Sequence, residues 1–389
     1  MSGVRILVVD DNPHVRWDGR VHPVNATFHR FLAAVLDAPG GGVREIHHAV
    51  PLRDAESPPP TLPVDPRILV AGTAPFDGIA GYLRHLRSVT ETNRRALTPL
   101  IEGADLVWLK VPASNAALAG RISRRTGTAR FGWVAGSAWR VARALPRNLL
   151  FRIGAVGVGS AYDLAGRWAS GPRRIVVGRG IVDGGGIVAS LVDPAELRDV
   201  GEAIAIHSPV RLAWAGRLAG GKGLATLLEI LVALPDAELI VLGDGPARPK
   251  MEAEARRRGV ARRIDWRGYV AERAPYLDAL ASADILVHPS PAEGFPKVVL
   301  DAMAVGLPVV AVPSGGLGEL AKARLIGPVR RRTPAHPASS AVMSLLLDPD
   351  GRQAMRERAA AFAAAHTAPA EATRLVERLR SWFPDLPWD

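Results

Sequence analysis

Short apolar runs alternate with segments of helical period throughout the C-terminal half of the chain. The apolar runs, which predict buried strands, lie at 210–215, 238–242, 263–266, 284–288 and 308–312. The segments between them carry apolar residues at helical spacing, at 223–234, 248–258, 273–282 and 296–305. Strands and helices that alternate in this way form a parallel sheet covered by helices on both faces. We therefore predict a doubly wound α/β domain.

The N-terminal half shows the same alternation less clearly. Strands are predicted at 4–10, 67–71 and 105–111, and helices at 25–37 and about 78–98. The proline-rich stretch 51–66 predicts a loop, and Glu45–Pro51 makes a poor buried strand. A chain of 389 residues exceeds what one hydrophobic core normally serves. We therefore predict two Rossmann-like α/β domains, at 1–190 and 191–370.

Composition narrows the classes of partner and cofactor. The net charge of +11 suits a phosphorylated substrate, an anionic membrane or nucleic acid, but aromatic residues make up only 5% and are not interleaved with basic ones, so no nucleic-acid partner is predicted. The absence of cysteine excludes disulfides and thiolate chemistry, and the ten histidines are scattered along the sequence, so no metal site or cofactor is predicted. Without a signal peptide or an apolar run of ~20 residues, a cytoplasmic location is expected.

A glycine-rich turn follows the predicted strand at 210–215. It has the sequence GRLAGGKG from Gly216 to Gly223 and opens the next helix. Glycines let the backbone approach a ligand closely, and the N-terminus of a helix favours negative charge. Because Arg217 and Lys222 add two cations to this turn, a diphosphate is the predicted ligand. A tight turn with two solvated cations is the simpler alternative.

The loop after the predicted strand at 284–288 also leads into a helix, with the sequence PSPAEGFPKVVLDAM over 289–303. Glu293 precedes the helix, where its carboxylate can accept hydrogen bonds from ligand hydroxyls. Asp301 lies within the helix on an otherwise apolar face, where an unpaired carboxylate costs several kcal/mol. Sugar hydroxyls would satisfy both acids. In the simpler alternative Glu293 caps the helix and Asp301 is half-exposed.

The segment from about 210 to 320 resembles the donor domain of the retaining family-4 glycosyltransferases. Five pieces carry the resemblance, in the family's order and at its spacings: AWAGRLAGGKGLATLLE, AELIVLGDGP, IDWRGYV, ADILVHPSPAEGFPKVVLDAMAVGLPVVA and GGLGEL. The resemblance implies the GT-B fold, with two Rossmann-like domains facing across a cleft and a C-terminal helix, within 371–389, that crosses back onto the first domain. It also implies sugar transfer with retention at the anomeric carbon, without a metal.

The resemblance further implies a role for each matching position. Arg217 and Lys222 would grip the donor diphosphate, and Glu293 would hydrogen-bond the donor sugar. Asp301 stands where the family usually has a second Glu that binds the ribose, and its side chain is shorter by one methylene. The other implied donor-binding positions are Gly216, Gly243, Tyr269, Val270, Gly294, Phe295 and Pro296. The expected donor is a UDP-sugar, with GDP as the alternative, and the expected acceptor is a secondary-metabolite precursor or a lipid-linked bacterial glycan, with peripheral membrane contact.

The N-terminal half resembles the family less closely. The segment DGRVHPVNATFHRFL (18–32) stands where the family has a glycine-containing loop, so Gly19 and Arg20 would face the donor phosphates. The segment DLVWLKVPASNAALA (105–119) is similar to the Pro-Ser loop of certain bacterial polysaccharide glycosyltransferases. The resulting candidates near the acceptor are Lys110, Ser114, Asn115 and Ser137. An ordinary loop role is the alternative for each of them.

Two other functions are compatible with parts of the sequence. The segment ILVVDDNPHVR (6–16) is similar to the opening of a response-regulator receiver domain, in which Asp10 and Asp11 would bind Mg²⁺, Asp54 would accept phosphate and Lys110 would contact it. The poor strand before Asp54 argues against this alternative. A sugar-nucleotide epimerase of the GT-B fold is the second alternative, and it would convert a donor without any acceptor.

Overall fold

The structure is a computed structural model that describes residues 3–24, 27–76, 85–136, 149–202, 205–291, 293–329 and 337–389. These residues divide into two compact units. Unit 1 contains the described residues up to 136 together with 149–177 and 368–389, and unit 2 contains the described residues from 178 to 367. The units therefore change at 177/178, ahead of the predicted boundary at 190/191.

Unit 1 is built around a mainly parallel sheet. Its strands are β1 (Val4–Val9), β2 (His14–Trp17), β3 (Arg20–Pro23), β4 (Val43–Asp54), β5 (Ile68–Thr73), β6 (Leu106–Val111), β7 (Ala129–Val134) and β8 (Arg174–Val176). They lie in the order β3-β2-β4-β1-β6-β7-β8, with β5 paired to β4. Only the β2–β3 pair is antiparallel among these strands. The buried Trp108 and Trp133 pack against each other in the core of this unit, with 5.0 Å between ring centroids and an angle of 52° between the ring planes.

Unit 2 has a six-stranded, fully parallel sheet. Its strands are β9 (Val210–Ala215), β10 (Ala237–Leu242), β11 (Ile264–Gly268), β12 (Ile285–His288), β13 (Val309–Ala311) and β14 (Gly327–Pro328). They lie in the order β11-β10-β9-β12-β13-β14. The strand order reverses between β9 and β12, because β10 lies on one side of β9 and β12 on the other. In open α/β sheets, ligands bind at the carboxyl ends of the strands at such a reversal.

The described residues form twelve α-helices that cover the two sheets. They are α1 (Thr27–Leu36), α2 (Leu86–Glu102), α3 (Ser114–Thr126), α4 (Leu149–Ser170), α5 (Leu224–Ala233), α6 (Arg248–Arg257), α7 (Arg273–Ala281), α8 (Lys297–Ala304), α9 (Leu317–Lys322), α10 (Pro337–Leu346), α11 (Pro349–Ala365) and α12 (Ala368–Trp382). The last of these, α12, belongs to unit 1, where it packs on α1. Part of the helix predicted at about 78–98 falls outside the described residues.

Two expectations for unit 1 are wrong. The segment Glu45–Pro51, predicted to be a poor buried strand, lies within β4 and pairs with both β1 and β5. The polar His48 in this segment is buried, because the rings of His14 and His29 from other elements pack against it. Residues 51–54, predicted as part of a loop, continue the same strand, and residues 52–54 pair with β2.

A β-hairpin is a further feature of unit 1 that was not predicted from the sequence. Asp18 and Gly19 connect β2 to β3 with φ angles of 47° and 69°. Positive φ at both central residues is the geometry of a two-residue hairpin turn, for which Asp-Gly is a preferred pair. Gly19 and Arg20 therefore lie exposed at a hairpin tip, and not in a loop that runs directly from β1 into a helix.

Candidate functional site

The candidate site in unit 2 is formed by the loops that follow β9 and β12. These strands are hydrogen-bonded neighbours, with Ile285 opposite Leu212 and Leu286 opposite Ala213, so their loops emerge side by side. Gly223, at φ +70°, lies where the two loops touch: a Cβ there would stand 2.4 Å from the carbonyl oxygen of Pro289. Only glycine fits this approach without displacement, which explains one glycine of the predicted phosphate turn.

Lys222 and Glu293 meet across these two loops. Lys222 Nζ donates a hydrogen bond to Glu293 Oε1 at 2.5 Å, and Ser290 Oγ donates to the same oxygen at 2.9 Å. The two charged side chains are 33% and 17% exposed, so the pair lies at the surface of the site and is not sealed in the core. The structure therefore brings together two of the three residues that the sequence predicts to carry the chemistry.

His288 lies beneath this pair and was not predicted from the sequence. It is the last residue of β12, it is buried, and its Nε2 stands 3.8 Å from Glu293 Oε1. Burial, together with the nearby charge of Lys222, lowers its pKa to about 4 despite the opposing effect of Glu293. His288 is therefore neutral at pH 7. The available sequence signal was its position at the carboxyl end of a strand at the sheet reversal.

The remaining glycines of the site hold the loops after β9 and β10 against each other. A Cβ on Gly243 would lie 1.9 Å from the carbonyl oxygen of Gly216, and Gly243 N donates to Gly268 O at 2.6 Å. Arg217 is exposed in the first of these loops. Tyr269 and Val270 follow β11, two strands away from β9 in the same sheet, at the same carboxyl edge.

The loop that carries Glu293 packs closely against two glycines, Gly178 and Gly316. Gly316 N donates to Gly294 O at 3.0 Å, and a Cβ on Gly178 would lie 2.6 Å from the ring of Phe295. Pro296 precedes α8 and is buried. The predicted donor-binding positions 294–296 thus belong to a loop whose shape is set by packing against 178 and 316.

Asp301 is buried in α8, and the protein itself supplies its partners. Arg273 Nη2 donates to Asp301 Oδ1 at 2.7 Å, and Tyr276 OH donates to Oδ2 at 3.2 Å. Arg273 also holds Glu196 through two bonds of 2.9 Å. Burial and the charge of Asp301 raise the pKa of Tyr276 well above 10, which keeps this hydroxyl a donor. The expected need for ligand hydroxyls at Asp301 is therefore met internally.

The candidates in unit 1 are engaged in a polar network of their own. The carboxylate of Asp11 accepts bonds from Ser114 N at 2.5 Å, from Ser114 Oγ at 2.7 Å and from Asn115 N at 3.0 Å, and so stabilises the N-terminus of α3. Asn115 Nδ2 donates to Thr73 Oγ1 at 3.1 Å. Ser114 and Asn115 are both buried. Lys110 pairs with the buried Asp10, and Ser137 lies outside the described residues.

The receiver-domain arrangement is not formed. Asp54 is exposed at the end of β4, where it pairs with Arg16 at 3.5 Å. Asp10 N donates a hydrogen bond to the carbonyl oxygen of Ala49 in β4. Asp54 lies five residues after Ala49 on this strand, which places it roughly 16 Å farther from Asp10. Lys110 is paired with Asp10 instead of approaching Asp54.

The histidines are not scattered in space, contrary to the expectation from their sequence positions. His14, His29 and His48 lie together in unit 1, with ring nitrogens within 4.8 Å of one another. They stand on three different elements, β2, α1 and β4, and it is the packing of these elements that brings them together. No spacing pattern within one element could have revealed this group.

Among the described residues, none of the helices combines the length and the apolar character that crossing a bilayer requires.

Residues 209–339, which include Arg217, Lys222, Glu293 and Asp301, match the family model described as glycosyl transferases group 1. The chain is 33% identical over 159 residues to alpha-D-kanosaminyltransferase of Streptomyces kanamyceticus, a match that covers 39% of this chain and 40% of that protein. It is 32% identical over 120 residues to the GDP-mannose-dependent alpha-(1-6)-phosphatidylinositol dimannoside mannosyltransferase of Mycobacterium tuberculosis, over 30% of each chain. The chain thus spans less than half the length of these curated relatives.

The structural likeness extends over both units. The chain superposes on sucrose-phosphate synthase from Thermosynechococcus elongatus with a TM-score of 0.72 and 17% identity, covering 98% of this chain and 100% of that one. At this identity the likeness establishes the fold, which is GT-B. The chain therefore carries a group 1 glycosyltransferase domain, at residues 209–339, on a GT-B fold.

Proposed function

We propose that this chain transfers a sugar from a nucleoside-diphosphate sugar to a hydroxyl acceptor, with retention at the anomeric carbon. The observation that carries the proposal is the Lys222–Glu293 pair, which stands at the carboxyl ends of the two strands where the sheet order reverses. This is the edge of a parallel sheet at which nucleotides are bound. A cation and a carboxylate there suit the two halves of the donor, its diphosphate and its sugar.

Lys222 and Arg217 stabilise the charge that develops on the leaving diphosphate. An ammonium carries three N–H donors, so Lys222 can keep its bond to Glu293 and still reach a phosphate oxygen. The described contacts of Glu293 are made to Oε1, which leaves Oε2 to accept a hydroxyl of the donor sugar. The acceptor hydroxyl attacks from the face that the diphosphate leaves, and the diphosphate takes its proton. The two cations supply the charge that a divalent ion supplies in other enzymes.

The donor is proposed to be a UDP-sugar, with a GDP-sugar as the alternative that the relatedness to a GDP-mannose-dependent enzyme supports. The acceptor is a secondary-metabolite precursor, in keeping with the relative named as a kanosaminyltransferase, or a lipid-linked glycan. The internal pairing of Asp301 with Arg273 and Tyr276 favours an indirect role in ribose binding, in which Asp301 holds α7 against α8.

A surface on unit 1 supports peripheral contact with anionic lipid. Leu164 and Trp168, one turn apart on α4, are 70% and 51% exposed. Arg124 lies 4.5 Å and Arg121 5.9 Å from the centre of the Trp168 ring. An apolar and aromatic patch bordered by guanidinium groups is the composition that binds the interface of an anionic membrane. The net charge of +11 adds long-range attraction to such a surface.

The central test is Lys222→Ala. Turnover of the cognate donor should fall by about 10²-fold or more, because one preorganised donor to the developing diphosphate charge is removed. Lys250→Ala removes an exposed lysine from α6 and is the matched control. The donor is found first by a thermal-shift screen of UDP-, GDP-, dTDP- and ADP-sugars.

Product analysis separates the proposal from its alternative. An epimerase converts the donor sugar in the absence of any acceptor, whereas a transferase requires the acceptor and releases nucleoside diphosphate. Near-normal activity of Lys222→Ala, or isomerised donor in acceptor-free reactions, would contradict the proposal.

A further inference from the structure

Three histidines that the proposed transfer does not use form a cluster inside unit 1, called here the histidine cluster. His14 extends from β2, His29 from α1 and His48 from β4, and their side chains are buried, with 1%, 5% and 1% of their surface exposed. One ring nitrogen from each lies within 4.8 Å of the other two. The cluster is therefore a convergence of three nitrogen ligands from three elements, removed from water.

The hydrogen bonds of the cluster leave several of its nitrogens unsatisfied. His14 Nδ1 lies 2.9 Å from Asn12 O, a pure acceptor, so this nitrogen carries the proton and Nε2 of the neutral ring carries a lone pair. His14 Nε2 stands 2.6 Å from His29 Nε2. Among the described residues, His29 Nδ1 and both ring nitrogens of His48 are buried without a hydrogen-bond partner. Native proteins rarely leave buried polar atoms in this state.

The surroundings of the cluster suit a cation. The bond from His14 Nδ1 to a backbone carbonyl is the outer support that metal-binding histidines usually show. Asp10 Oδ2 lies 3.8 Å from His48 Nε2, so a carboxylate stands beside the three ring systems. Lys110 pairs with this carboxylate and balances its charge. A divalent ion would therefore have a carboxylate neighbour and would not meet an uncompensated ammonium.

We propose that His14, His29 and His48 bind one divalent transition-metal ion of the zinc class. Imidazole nitrogens suit Zn²⁺, Cu²⁺ and Ni²⁺, whereas Mg²⁺ and Ca²⁺ require oxygen ligands. Tetrahedral Zn²⁺ with Zn–N distances of about 2.0–2.1 Å places its nitrogens about 3.3 Å apart. The separations here, from 2.6 Å up to 4.8 Å, bracket that value, so small side-chain rotations are enough.

The ion would have a structural role. It would tie β2 and α1 to the central strand β4, and so fix the hairpin β2–β3 on the sheet of unit 1. The transfer site proposed above lies in unit 2 and uses none of these ligands. The metal proposal thus stands independently of the proposed function, and neither result decides the other.

The test uses the full, untagged chain, stripped of metal with a chelator and then exchanged against ZnCl₂. We expect one Zn²⁺ per chain by metal analysis and a rise in Tm of about 3 °C or more at Zn²⁺ concentrations near 100 Kd. Co²⁺ in place of Zn²⁺ should give the visible absorption bands of a four-coordinate, nitrogen-rich site. Absence of stoichiometric Zn²⁺ and of the Co²⁺ bands in the wild-type chain would overturn the proposal without any variant.

Single variants then locate the ion. His48→Gln and His29→Gln should each weaken Zn²⁺ binding by about 100-fold or more, since loss of a direct ligand exceeds the effect of losing an outer partner. His47→Gln is the matched control, because His47 adjoins His48 on the opposite face of β4 and pairs with Glu45. Equal Zn²⁺ affinity of His47→Gln and His48→Gln would assign the metal to another part of the surface and overturn the proposal. If His48→Gln fails to fold, His29→Gln and the wild-type Co²⁺ spectrum provide the decision.

Discussion

Individual residues at the proposed donor site differ in how firmly the protein fixes them. Glu293 is restrained by Lys222, Ser290 and the contacts of its own loop, whereas Arg217 is exposed on its loop. The carboxylate is therefore preorganised before a ligand arrives. The acidic residue eight positions later, Asp301, is fixed still more firmly by two partners within unit 2. Fixed carboxylates avoid the entropy cost of ordering at the moment of binding.

His288 should make the stability of the chain depend on pH. Its folded-state pKa of about 4 lies below the ordinary value of 6.5, chiefly because of burial, so between these values the unfolded chain binds a proton that the folded chain does not. Above pH 6.5 the histidine is neutral in both states, so its contribution to the free energy of unfolding is fully present. As the pH falls toward 4 the unfolded chain takes up a proton first, and the free energy of unfolding decreases by about 3 kcal/mol at most. In urea unfolding, His288→Asn should reduce the slope of the pH profile over this range. His85→Gln, at an exposed histidine, is the matched control for the substitution itself, and equal slopes for wild type and His288→Asn would refute the assignment.

At the scale of elements, the contact between the loops after β9 and β12 defines the site. Gly223→Ala should test it, because a Cβ there would meet Pro289 O at 2.4 Å. Gly259 has nearly the same φ, +73° against +70°, but a Cβ added there would meet nothing within 4 Å, so Gly259→Ala measures the backbone strain alone.

We expect Gly259→Ala to cost about 1–2 kcal/mol in the free energy of unfolding. Gly223→Ala should cost about 1–3 kcal/mol more, because the added methyl group overpacks the contact. It should also lower kcat/KM, whereas Gly259→Ala should not. Equal effects of the two substitutions would show that the loops do not depend on this approach.

The elements of unit 2 between 210 and 312 could be predicted from the sequence because each carries its own local signal, whereas β14 and the helices α9, α10 and α11 were not predicted. The strand predicted at 210–215 is β9 to the residue, and the helix predicted at 273–282 is α7 with one residue fewer. In unit 1 the long strand β4 was missed because its buried His48 is accommodated by His14 and His29, which come from distant parts of the sequence. The hairpin was predictable in principle from Asp18-Gly19 between two alternating runs.

The sequence predicted which residues form the donor site, but not the contacts between them. Position after a strand identified Lys222 and Glu293, but their ion pair depends on β9 and β12 being neighbours, which strand order alone decides. The partners of Asp301 could not be inferred, because Arg273 is 28 residues away on another helix.

At the scale of the whole molecule, the exposed patch on α4 predicts binding to membranes. The wild-type chain should co-sediment with vesicles that contain anionic phospholipid and should dissociate as salt rises. Leu164→Glu should reduce binding at least about tenfold, since it removes apolar contact and adds repulsion. Leu347→Glu, at a leucine that is 76% exposed in unit 2, is the matched control. Equal loss in both variants, or binding to neutral vesicles alone, would argue against the patch.

Unit 1 is discontinuous in sequence, since its described residues before 178 are joined by 368–389. The last segment is well integrated: α12 packs on α1, Arg380 donates to Gly40 O at 2.9 Å, and Arg173 lies over the Phe383 ring at 4.3 Å. During synthesis, the ribosome makes all of unit 2 before the last part of unit 1 exists. Unit 1, although most of it is made before unit 2, therefore completes its packing only when residues 368–389 have been made, and a stop codon that removes these residues would damage a unit encoded mainly ahead of unit 2.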